Sequence, residues 1–152
     1  MKKLQIIFLI ISVFVCSVTL LYAENIKGKE ATMEKELMCV INVMAYGYSV
    51  KVFINSVDIR IKGGKSESAR LFGKEHSMAQ QLPEDMKYLV CLKAGENEII
   101  LEYQRMKDDD STGLTVELKS EEQFTSEESL ISFSEDPDKN GEPKSITKKF
   151  NL

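Results

Sequence analysis

The sequence predicts an all-β fold: a single antiparallel β-sandwich, jelly-roll or immunoglobulin-like, behind an N-terminal apolar leader helix. Three observations predict it. From residue 37 onward the chain breaks into about seven to nine short runs of strand-like composition, at the spacing of a sandwich. Turn-forming residues separate the runs, among them Asn55-Ser56, Gly63-Gly64, Pro83, Gly95-Glu96-Asn97 and Asn140-Gly141. Beyond the leader no segment carries a long helical period.

Residues 1–23 read as a secretory signal peptide. Met1-Lys2-Lys3 is a positive start, Leu4 to Tyr22 is almost wholly apolar, and the small residue Ala23 precedes Glu24-Asn25. The apolar run is also long enough to span a bilayer, so an uncleaved anchor over residues 4–23 is the alternative. Either reading puts the remainder in a periplasm or outside the cell. Residues 24–36 form a charged lead-in and residues 37–152 the domain. With 43% apolar residues the chain can bury a core. Its formal charge of −4 becomes −6 when Lys2 and Lys3 leave with the leader. An acidic domain makes nucleic acid a poor partner and limits membrane contact to an uncleaved leader. There is no Trp and one His, which thins the supply of stacking and catalytic groups.

Leu37 to Tyr46 is apolar on both faces and reads as a central strand, or one covered on both sides. Val50 to Lys62 reads as a hairpin. A two-residue turn at Asn55-Ser56 pairs Ile54 with Val57, Val52 with Ile59 and Val50 with Ile61, all on one apolar face. Gly63 to Ser66 is a loop. Ser68 to Phe72 fits a strand, Lys74 to Gln81 a short helix or irregular crossing, and Leu82 to Asp85 a turn. Met86 to Leu92 returns to strand composition. Ile99, Leu101 and Tyr103 alternate with Glu98, Ile100 and Glu102. Arg105 to Gly113 is an acidic loop. Leu114, Val116 and Leu118 point inward on the next strand, Leu130 to Ser134 makes a short strand, and Asp136 to Pro143 turns sharply. Ile146 to Leu152 closes the fold, with Lys148 breaking its apolar face.

The pattern VKVFINSVDI followed by LKAGENEIILEY resembles galactose-binding-like jelly-roll domains, including non-catalytic sandwich domains of glycoside hydrolases. The likeness covers about residues 37–105 and rests on Asn55 and Gly95-Glu96-Asn97, which are turn chemistry. It implies carbohydrate or protein binding, often beside a structural calcium. With no Trp, sugar stacking would fall to Tyr46, Tyr48, Tyr88 or Tyr103.

Four further features carry chemistry. Cys39 and Cys91 are the cysteines left after the leader, an even count that in an exported domain predicts a disulfide between two strands. Closing that loop of about 50 residues is worth about 4 kcal/mol in the chain-entropy model. The alternative is two buried thiols acting as small hydrophobes. Asp136, Asp138, Asn140 and Glu142 match the first half of a calcium loop, but Thr147 stands where an EF-hand needs its acid, so a looser calcium turn competes with a plain Asn-Gly turn. Asp108-Asp109-Asp110 reads as a solvated loop. His76, beside Glu75 and Ser77, reads as a surface or loop residue rather than part of a triad.

The expected function is an exported, non-catalytic module that binds a glycan or a protein of the envelope. The alternative is a structural or accessory subunit of a cell-envelope assembly; a small secreted hydrolase working through carboxylates ranks third. No cofactor is expected apart from calcium at the 136–142 turn.

Overall fold

A computed structural model describes residues 36–106, 113–135 and 141–152. The leader and nearly all of the lead-in, the centre of the acidic loop, and Asp136, Asp138 and Asn140 lie outside the described residues.

Alternation builds the strands. In β1 (Met38–Tyr46) the side chains of Cys39, Ile41, Val43 and Ala45 are fully buried, while Met44 and Tyr46 on the other face are exposed. Of the two readings of this stretch the central strand holds: β1 lies in the middle of its sheet, and its outer face is only partly screened. Gly47, at φ 73°, turns the chain into β2 (Tyr48–Ile54), which buries Val50, Val52 and Ile54. β3 (Val57–Asp58) closes the hairpin, with Ile54 opposite Val57. β4 (Ser66–Gly73), β5 (Val90–Leu92), β6 (Glu96–Arg105), β7 (Gly113–Ser120), β8 (Ile131–Glu135) and β9 (Lys144–Asn151) complete the strands.

The strands form two packed sheets. Sheet A runs β5-β4-β1-β7-β8 and sheet B runs β3-β2-β6-β9. One core lies between them. Ile41, Val43, Leu114, Val116 and Leu118 of sheet A share it with Val50, Val52, Ile54, Ile99 and Leu101 of sheet B. Fully burying each such side chain stabilises by about 1.5–3 kcal/mol. The fold is all-β, as expected.

Three local expectations need correction. β3 is two residues long, and the pairing of Val50 with Ile61 is not made. Asp58 Oδ1 accepts the Arg60 N–H at 2.8 Å, and Arg60 takes φ 60°, so a side chain outcompetes the ladder. Ile59 and Ile61 stay buried on the core side all the same. The sheets are also not wholly antiparallel: β4 and β5 run parallel. Between them lie the short helix α1 (Ser77–Gln81) and a 3₁₀ helix (Glu84–Leu89), a crossover long enough to return the chain in the same direction. That 3₁₀ helix takes Met86 to Leu89, four residues expected to be strand. Pro83 presets its entry, and the Met86 N–H donates to the Pro83 carbonyl at 2.9 Å.

Gly63 lets the chain cross from sheet B to sheet A. A Cβ there would stand 2.6 Å from the Tyr48 carbonyl oxygen, and its φ of 73° suits only glycine without strain. The neighbouring Gly64 N–H donates to the carbonyls of Ala45 and Tyr48 at 2.9 and 3.0 Å.

Candidate functional site

The outer face of sheet B carries a polar groove of about 460 Å³. Strand register explains its lining. Lys51 of β2 lies opposite Glu102 of β6, and Glu102 lies opposite Ser145 of β9. One step along, Ser49 lies opposite Gln104, and Pro143 completes the wall. Side chains alternate between faces, so residues 49, 51, 102, 104 and 145 all point outward while their neighbours fill the core. The result is two rows of short polar groups crossing three strands. Lys51 and Glu102 are of opposite sign and adjacent, and Lys144, which also lines the groove, is paired with Glu135, so the floor is close to neutral. Gln104 Nε2 donates to the Gly141 carbonyl at 3.0 Å, which fixes the amide.

Of the four candidate tyrosines Tyr103 borders the groove, but as a buried residue rather than an open stacking platform. Tyr48 and Tyr103 are buried, with ring centroids 6.4 Å apart. Tyr103 also meets Phe133 at 5.6 Å, so both rings are core. Tyr88 is half-buried under the Arg60 guanidinium, 4.2 Å above its centroid, and Arg60 Nη1 also donates to the Asp85 carbonyl at 3.2 Å. Tyr46 alone of the four is exposed, at 49%, on the outer face of sheet A beside Met44 at 47%.

Sequence reading missed a charged cluster at one end of the two sheets. Glu135 of β8 and Lys144 of β9 form an ion pair of 2.6 Å that joins the edge of sheet A to the edge of sheet B. Tyr48, Tyr103, Arg105 and Glu142 line the same small cavity. Burial and the Glu135 carboxylate push the Tyr103 hydroxyl up to about 12. Lys148, two inward positions further along β9, donates to the Ser132 carbonyl at 3.0 Å. The signal for this cluster was present: an acid and two bases interrupt the inward positions of two otherwise alternating strands.

At the opposite end of sheet B, the two turns on which the resemblance rests come together. Asn55 Nδ2 donates to the Cys91 carbonyl at 2.8 Å and to Asn97 Oδ1 at 2.7 Å, and Asn55 Oδ1 accepts the Glu98 N–H at 3.1 Å. Asn97 Oδ1 also accepts the Lys93 N–H at 3.0 Å, while its Nδ2 donates to the carbonyls of Lys93 and Gly95 at 2.8 and 2.9 Å. Both amides are fully engaged, so their work is structural.

The expected disulfide is corrected. Cys39 and Cys91 are both buried, and no disulfide joins them. They stand on β1 and β5, with β4 between them. Strand spacing then sets their Cα atoms on the order of 10 Å apart, beyond disulfide reach. Burial, with Cys39 nearby, pushes the Cys91 thiol up to about 12 and makes it a poor nucleophile.

His76 is buried rather than on the surface. It caps α1: its Nδ1 accepts the Met78 N–H at 3.1 Å, and its ring packs on Phe72 at 4.9 Å. Ser77 Oγ donates to Glu36 at 3.4 Å rather than to the imidazole, so no triad forms. Of the calcium candidates Glu142 is described, exposed at the rim of the charged cluster. Among the described residues no three His, Cys, Asp or Glu side chains group to hold a metal ion. Comparison of the chain with family models, curated proteins and solved structures finds no match.

Proposed function

We propose that the chain is an exported, non-catalytic β-sandwich module, jelly-roll or immunoglobulin-like, that binds a glycan across the outer face of sheet B. The observation that carries this reading is the groove over Ser49, Lys51, Glu102, Gln104 and Ser145. Its donors and acceptors are side chains with free hydrogen-bonding capacity, spread over a near-neutral floor, and they suit an array of hydroxyl groups. A peptide adding to a sheet edge is the less favoured ligand. β3 and β5 are two and three residues long, and β9 turns Lys144 and Lys148 inward, a device that blunts edges.

The test is NMR titration of the purified protein with neutral oligosaccharides, acidic oligosaccharides and unstructured peptides. The reading expects shifts centred on residues 49–51, 102–104 and 145 with a neutral sugar. Gln104→Ala and Lys51→Ala should weaken that binding at least tenfold without changing the melting midpoint. Shifts confined to Met44 and Tyr46 would favour the second reading, an accessory subunit of an envelope assembly, which those exposed apolar side chains support. No shift with any ligand would end the glycan reading. Melting with and without calcium in the same series tests the 136–142 turn, since a ligand of the folded state raises its midpoint.

A further inference from the structure

At the charged end of the fold two buried polar atoms have no hydrogen-bond partner among the described residues: the Tyr48 hydroxyl and Glu135 Oε2. Tyr48 as a whole is 3% exposed. Leaving such groups unpaired carries their full desolvation penalty, so native folds satisfy them. Both line one cavity, of about 10 Å³, together with Tyr103, Arg105, Glu142 and Lys144. That volume matches the one-probe space a single water needs, and a buried water needs two to four polar partners.

We propose that this small cavity binds one water, which accepts the Tyr48 O–H, donates to Glu135 Oε2, and so ties sheet B to sheet A. The chemistry of the lining selects such a guest. Lys144 Nζ already sits 2.6 Å from Glu135 Oε1, and Arg105 lines the same space, so a metal cation would meet two positive charges. Glu135 and Glu142 oppose an anion in the same way. The two acids and two bases balance, which leaves a neutral molecule that both donates and accepts. Tyr48 belongs to β2 and Glu135 to β8, strands of different sheets, so the water adds a second cross-sheet link beside the Lys144–Glu135 pair.

The test is Tyr48→Phe in the full chain, with melting of both proteins and a high-resolution crystal structure of the parent. The substitution deletes one oxygen and keeps the ring. If the hydroxyl is an orphan, its removal lifts a desolvation cost and the midpoint rises. If it holds a bridging water, removal strips that water of a partner and the midpoint falls by about 2–8 °C. A fall, with water density within hydrogen-bond reach of both oxygens, supports the proposal. An unchanged or raised midpoint overturns it. So does absence of density there, or a structure in which the Tyr48 or Tyr103 hydroxyl donates directly to Glu135 Oε2.

Discussion

Asn97 shows how much one side chain can hold. It is 1% exposed and serves four hydrogen-bonding partners, three of them backbone groups of the turn before β6 and the fourth the Asn55 amide. Replacing it with Ala leaves those groups buried or poorly solvated. Asn97→Ala should cost about 3 kcal/mol, read as a lower urea midpoint at unchanged slope. Asn97→Asp keeps the acceptor and loses both donors, so it should also destabilise strongly. Lys93→Ala, whose exposed side chain takes no part, should stay within about 0.5 kcal/mol of the parent. An Asn97→Ala protein as stable as the Lys93→Ala control would show that the network is incidental. The residues of this network were visible in the sequence as turn chemistry. Their partnership was not, because Asn55 and Asn97 are 42 positions apart and meet only through the β2–β6 register. The same limit hid His76: nothing in its neighbours' identities says that a capping imidazole will be sealed against Phe72.

At the scale of elements, the hairpin was legible because pattern and turn agreed. Asn55 and Ser56 sit at φ 48° and 68°, the left-handed pair that a two-residue turn between twisted strands requires. Ser bears a strain there that Gly would not. Ser56→Gly should therefore raise stability by up to about 1 kcal/mol in chemical denaturation, and a loss would mean that the exposed Ser56 side chain makes a contact worth more than the strain. Beyond Asp58 the alternation still predicted which residues are buried but not where pairing stops, since the Asp58 side chain captures the Arg60 N–H. β9 teaches a related lesson. Lys148 looked like an error on an apolar face, yet it reaches across to the Ser132 carbonyl and lies 5.8 Å over the Phe133 ring. An inward lysine on an edge strand gives up some burial and discourages pairing with another chain. Lys148→Val restores a flawless alternation, and it should convert a monodisperse protein into one that self-associates, read by sedimentation or light scattering. A variant that stays monodisperse at high concentration would remove the edge-protection argument.

At the scale of the whole molecule, strand composition predicted the class, while sheet order and ends did not follow from it. Cysteine count predicted a bond that β4, lying between β1 and β5, keeps from forming, because counting carries no information about strand order. The charged end was equally hidden, since Glu135 and Lys144 acquire meaning only when the edges of two sheets are stacked. These buried groups have one global consequence. The Cys91 thiol and the Tyr103 hydroxyl are each held neutral up to about 12, against ordinary values of 9.0 and 10.0. An unfolded chain releases those protons at the ordinary values, so above them the unfolded state binds fewer protons than the folded one. Stability must then fall as pH rises. The contribution is complete below about pH 9 and is lost progressively toward pH 12. Urea midpoints measured from about pH 8 to about pH 11 should decline steadily. Cys91→Ala should flatten the lower part of that decline and Tyr103→Phe the upper part, because each removes one of the titrating groups. A profile that stays level across the range would mean that neither group is as shielded as its burial implies, and that the space between the sheets opens to water well before the chain unfolds.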